Sequence, residues 1–495
     1  MAAPDPQRDL YRAQYAAWGV VVQTSNIRAA HVANGVVQLL RLASRRPEWG
    51  DGVDLDPSRF AAVATGAMAG EGLERGLSAH ALALCIYKSK SGPLSLAAPA
   101  PVDAPEVARS IIQRGREHLA RILDTAGAAQ DGGIQEQAHR TLADALNADG
   151  KVMITGGADP TTPGLAFAGF TPTHTIKTMH AATFLGLLGS TSRGRRALVH
   201  LYDAARRVDD PHASLASFLG LTQRDRDDKD SERRWPPLSA DDFEGLYPVP
   251  RGEGWDALTE AAGEMAGNIA RRQERGATKA ETLMSLVDLA LLLLATRMLR
   301  WERCPKSAPR LLLAVCSQRR TTALQQAIAR GQESLRLAAA ALDEQAHSDD
   351  PNATLIRKRE AKKKGPAGED KFNEYFPSNH SLNLASAGGW LFPLDARGGA
   401  PRYLCPGPRQ FVTLVHALVP PGEERAWSAF ASEAEGSLGI ALGGANDSGT
   451  ERALRMGGVA ATLREAAKTN QERLIALGLA RRESDNVVIV DGGAR

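Results

Sequence analysis

The sequence predicts a mainly α protein: a multi-domain helical body followed by a small C-terminal α+β domain. Three observations predict it. The 495-residue chain is rich in Ala, Leu and Arg but only 5% aromatic, which favours packed helices over β-sandwiches. Apolar residues recur at helical spacing through most of the length. Near the end, a helical stripe stops at Gly478 and gives way to two short runs of strand character. The length suits about two to four domains.

Residues 1–222 read as a mostly helical N-terminal domain, open to division in two. Two helical patterns fill 8–48, with Val20-Val21-Val22 as a brief strand between them and Ser25 and Asn26 suited to cap the second. Two further helices span 57–86, separated at Gly70-Glu71-Gly72. Residues 89–103 form a Pro/Ala/Ser-rich connector, and amphipathic helices follow at 104–126 and 135–146. A strand at 151–155 and a Thr/Pro/Gly-rich loop at 159–175 lead to an apolar helix at 178–188. A helix with basic ends closes the domain at 191–207. The dense alternating charge of 223–237, ending in Trp-Pro-Pro, reads as an exposed linker or a long loop.

The second helical block, 238–346, contains the most apolar segment of the chain, 283–299. Asp288 and Arg297 interrupt that segment, so a helix buried on most sides is expected there rather than a membrane span. A strand at 310–315 and a long helix at 321–344 follow. Residues 347–379 are charged, contain Pro and Gly, and show no sustained helical face; they read as a flexible basic linker or inserted loop. The last domain, 380–495, opens with a hairpin of 390–394 against 401–404. Helices are expected at 409–419, stopped by Pro420-Pro421-Gly422, and at 423–434.

Residues 456–491 then combine a helix, a stop and a hairpin. Val459, Leu463, Ala466, Ala467, Leu474 and Leu477 make one buried stripe, Gly478 suits a left-handed cap, and Ser484-Asp485-Asn486 suits the turn between 479–482 and 487–490. This order resembles the recognition helix and wing of the winged helix-turn-helix superfamily, over roughly the last hundred residues. The resemblance implies a helix that fits the major groove, with Arg464, Lys468, Thr469 and Gln471 outward, beside Glu472. It also implies Arg481 and Arg482 on the wing, facing phosphates. The same residues read equally as a solvated face or a protein-binding one, because 381–495 carries twelve Lys/Arg against twelve Asp/Glu.

Two basic groups lie outside that domain. Arg357, Lys358, Arg359, Lys362, Lys363 and Lys364 would attract a phosphate backbone without reading sequence, or simply solvate a linker; Tyr375 and Phe376 could stack on an unpaired base, though anchoring the linker onto the folded body suits them better. Arg193, Arg195 and Arg196 open a helix where backbone N–H groups add to an anion's attraction, or simply pair with acidic neighbours. The net charge of +3 supplies no global argument for nucleic acid.

Enzyme signatures are wanting. The chain has no phosphate-binding G-x-x-x-x-G-K-[ST] loop, no dinucleotide G-x-G-x-x-G and no G-x-S-x-G, so no nucleotide cofactor is expected. His174 and His180 are six apart, and neither they nor Cys85, Cys304, Cys316 and Cys405 have metal-ligand spacing, so no metal is expected either. The N-terminus lacks the layout of a secretory signal, and a cytoplasmic chain is expected. The expected function is a non-catalytic nucleic-acid-binding subunit of a bacterial DNA-transaction or anti-phage defence complex. Its partners would be DNA, with RNA open, and proteins such as a separate ATPase or nuclease. The alternative is a helical scaffold whose winged helix binds protein; an enzyme of unrecognised family is third.

Overall fold

The computed structural model describes residues 253–277, 279–299, 311–317, 322–363, 377–393, 401–444, 447–454 and 459–493, with isolated positions among the first 252 residues. Helix accounts for 69% of these, so the protein is mainly α. Helix α1 (Glu253–Arg271) leads through a 3-10 turn (Arg272–Arg275) to α2 (Lys279–Leu299), the expected apolar helix. By length and composition α2 could cross a membrane, yet 94% of its apolar window is buried inside the fold. An all-round apolar helix needs neighbours on every side. Those neighbours are α1, α3 (Thr322–Ala346), α5 (Ser378–Ala387) and α6 (Pro408–Leu418).

Asp288 sits in the middle of α2 and is 1% exposed. Arg409 on the first turn of α6 meets it with both ends of its fork, Nε to Oδ2 at 2.7 Å and Nη2 to Oδ1 at 2.9 Å. Gln410 donates to the same carboxylate at 3.4 Å and to the Gly388 carbonyl at 2.7 Å. The Trp390 indole donates to the Asp288 carbonyl at 2.9 Å. One buried charge therefore fixes the start of α6 and the turn after α5 against the centre of α2.

The expected linker 347–379 departs from the observed chain. Helix α4 (Pro351–Lys363) occupies much of it. Asp350 caps α4 by accepting from the N–H groups of Asn352 at 2.8 Å and Ala353 at 3.1 Å, and Pro351 takes the first helical position. Ala353, Ile356 and Arg357 are buried, one helical turn apart. Asp343, in α3, accepts from the N–H and hydroxyl of Ser378 at 3.0 and 2.6 Å, which caps α5 from a neighbouring helix. The expected boundary does not divide the core either, because α2 packs on α5 and α6 across it, and α3 packs on the late helix α9 (Ala460–Ala476).

Small sheets complete this region. Strands β6 (Leu391–Phe392) and β7 (Tyr403–Leu404) form the expected antiparallel hairpin. A parallel bridge from Leu404 to Ala314 sets it beside β5 (Leu312–Leu313), which pairs in parallel with β9 (Ile440–Ala441). A three-stranded sheet has the order β10 (Ala480–Arg482), β11 (Val488–Asp491), β8 (Glu424–Ala426), all antiparallel. The helix expected from 423 thus starts late: α7 is Trp427–Glu433, continued by a π turn at Ala434–Leu438. The first residues of that run pair with β11 instead, since sheet partners outweigh a weak helical preference. Helix α8 (Asp447–Leu454) precedes α9.

Among the earlier residues, Ala13, Val32, Val36, Phe184, Leu188 and Ala197 are buried in the same core as α2. Strands β1 (Arg75–Gly76) and β4 (Thr222–Gln223) pair antiparallel, as do β2 (Tyr87–Lys88) and β3 (Ser95–Leu96), the latter inside the expected connector. Within the expected 104–126 helix, Gln113, Arg116, Glu117 and Ala120 are helical; most remaining positions of the expected elements before residue 253, and the 223–237 linker beyond Gln223, lie outside the described residues.

Two predictions test this packing. Arg409→Ala should destabilise the protein by about 3 kcal/mol in urea unfolding, because it strands a buried carboxylate. His416, on α6, is held down to about 4 from 6.5, first by burial and then by the Arg272 guanidinium. A lowered histidine contributes stability that is complete above pH 6.5 and drains away as the pH falls towards 4. The wild type should therefore lose about 3 kcal/mol more than His416→Gln across that window in parallel urea titrations.

Candidate nucleic-acid interface

Helix α9 is two-sided. Leu463, Ala466, Asn470 and Leu474 are buried, while Arg464, Lys468 and Glu472 are exposed and Gln471 is half-buried on the opposite side. The helix stops as its sequence anticipates. Gly478 takes φ 71°, its N–H meets the Ile475 carbonyl at 2.9 Å, and the Leu479 N–H meets that of Leu474 at 2.9 Å. The chain turns at once into β10, and Asn486 at φ 64° closes the β10–β11 turn.

Buried contacts hold this unit rigidly. Asn470 donates to the Ala314 and Leu442 carbonyls at 3.1 and 2.9 Å and accepts from the Cys316 N–H at 3.0 Å. Gly443, at φ 82°, lets its loop lie against α9, where a Cβ would meet the Leu463 carbonyl oxygen at 2.2 Å. Arg272, 4% exposed, donates to the Gly492 carbonyl at the end of β11 and to the Val419 carbonyl at 3.0 Å. Burial lowers its pKa to about 10, still leaving it charged at neutral pH.

The expected contact residues fare differently. Arg464 and Lys468 stand one turn apart on the open face, with no ion-pair partner among the described residues. Thr469 is half-buried and its hydroxyl donates back to the Glu465 carbonyl at 2.9 Å, so it is turned to its own helix. Arg482 is exposed. Arg481 is already engaged, by Glu424 at 2.7 and 2.8 Å and by Glu483 at 2.8 Å, and these carboxylates hold its proton more firmly than usual.

The basic cluster at 357–364 is not one mobile patch. Arg357 is 8% exposed and donates to the Ser348 carbonyl at 3.0 Å and the Thr354 hydroxyl at 3.3 Å, so it braces α4 instead of awaiting phosphate. Lys358 is exposed; Arg359, Lys362 and Lys363 fall within the α4 backbone. Lys364, Tyr375 and Phe376 lie outside the described residues, as do Arg195 and Arg196. Arg193 pairs with Glu264 of α1, the solvated alternative.

Sequence reasoning missed Asn470, Arg272 and Asp350 as fixing residues. A signal existed for two of them: Asn470 falls in the apolar stripe of α9, and Asp350 stands directly before a proline. No group of histidine, cysteine or acidic residues suited to a metal ion occurs among the described residues. Cys316 and Cys405 are free thiols, and burial raises the latter to about 12. No family model, curated protein or solved structure matches the chain.

Asn470→Ala would leave two carbonyls and one N–H buried without their partner. It should cost about 3 kcal/mol and shift the thermal midpoint down, while Gln471→Ala stays within about 0.5 kcal/mol.

Proposed function

We propose that the chain is a non-catalytic nucleic-acid-binding subunit in which α9 and the β10–β11 hairpin act as a winged helix. The observation that carries it is the open face of α9, where Arg464 and Lys468 stand one turn apart, without an ion-pair partner among the described residues, on a helix that is immobilised from behind. The element order supports the winged-helix reading: a helix, α6, precedes the strand β8, and α9 leads into a hairpin whose second strand pairs with β8. Two cations at that spacing suit phosphates flanking a groove, and Gln471, on the turn after Lys468, suits a base edge. The burial of Arg357 and the pairing of Arg481 and Arg193 concentrate the contact on this face. The reading extends to a role within a larger DNA-transaction assembly, whose engine would be another polypeptide.

One observation favours the scaffold reading. Val487, at the tip of the hairpin, is the exposed large apolar side chain among the described residues, and an apolar tip suits a protein groove.

The test is Arg464→Ala with Lys468→Ala, both exposed substitutions that leave the fold intact. With a fluorescent DNA duplex, affinity should fall at least about tenfold and the slope of log affinity against log salt should shrink by about two. Unchanged duplex binding together with loss of a co-purifying protein would transfer the face to the scaffold reading.

A further inference from the structure

We propose that Arg481 is a strap that orients the hairpin and is withheld from phosphate, leaving Arg482 as the hairpin's anion contact. The proposal rests on the nucleic-acid reading for its second half only. In the three-stranded sheet, Arg481 lies opposite Ile489, and Ile489 lies opposite Ala426, so β11 separates Arg481 from β8. The Arg481 side chain nevertheless crosses β11 to reach Glu424 on β8, with Nη1 to Oε1 at 2.7 Å and Nη2 to Oε2 at 2.8 Å. Its remaining nitrogen, Nε, donates to Glu483 Oε1 at 2.8 Å. All three guanidinium nitrogens are thereby committed, and the two outer strands are tied together over the middle one.

A phosphate approaching Arg481 would have to displace a two-point carboxylate and a second carboxylate. A two-point fork is the strongest form of this contact, and it fixes geometry as well as charge. Arg482 faces no such competition among the described residues. As the next residue on a strand it leaves on the opposite side, the side from which Ala480 packs into the core. The two adjacent arginines thus divide the work: one holds the hairpin, the other is free to meet an anion.

The experiment measures duplex DNA binding across a salt series, with amide hydrogen exchange of 480–491 on the same full-length proteins. Arg482→Ala should reduce the salt slope by about one while leaving exchange unchanged. Arg481→Ala should keep the wild-type slope, weaken binding several-fold, and speed exchange at β10 and β11 at least about fivefold. Arg481→Lys, which keeps the charge but not the fork, should restore neither. Glu424→Gln with Glu483→Gln should release Arg481 and raise the slope by about one. The strap is overturned if Arg481→Ala cuts the slope as Arg482→Ala does, or if exchange in the hairpin is indifferent to it. Should the wild type fail to bind duplex at low salt, the functional reading falls, and the exchange measurements still decide the strap.

Discussion

A carboxylate in the middle of an apolar helix is the constraint on which the remaining structure depends. Helix α2 can be buried on all sides only if Asp288 is answered inside the core, and Arg409 and Gln410 answer it from the first turn of α6. That requirement sets α6 against the centre of α2 and draws the Gly388–Trp390 turn into the same place. Truncating one side of such a pair is far more costly than the pair is stabilising, because the loss leaves a charge where water cannot follow. The chain on either side of 347–379 is therefore bound into one core.

From that core, order passes to the C-terminal unit by groups that satisfy backbone rather than by bulk alone. Arg272 spans the end of α6 and the end of β11, and Asn470 fastens α9 to the loops after β5 and β9. Trp427 reaches the same glycine-rich loop, its indole donating to the Gly443 carbonyl at 2.9 Å. A binding face built on a helix fixed in this manner loses little freedom on meeting a partner, and its side chains keep their relative positions. Function, on this account, lives in a few exposed residues whose placement is decided by buried ones.

Much of this was legible in the residues. The apolar helix, the long helix after it, the 391–404 hairpin and the final helix and hairpin follow from periodicity and from the stop at Gly478. The misreadings have physical causes. Helix α4 buries a narrow face that includes an arginine, so its hydrophobic signal is weak and its start is marked by Asp350-Pro351 alone. Strand β8 is three residues of Glu, Arg and Ala whose conformation comes from β11, far along the chain. At the candidate interface, exposure of Arg464 and Lys468 could be read from the helical stripe. The pairing of Arg481 with Glu424 could not, because it crosses an intervening strand and joins residues remote in sequence.

In the proposed function, the full chain presents a cationic, preorganised helix face to a nucleic-acid backbone. The most direct measurement is the anisotropy of a fluorescent DNA duplex titrated with the intact wild-type protein at two salt concentrations. Saturable binding at low salt that weakens steeply as salt rises is the expected result. Absence of binding at low salt, or binding indifferent to salt, would contradict it.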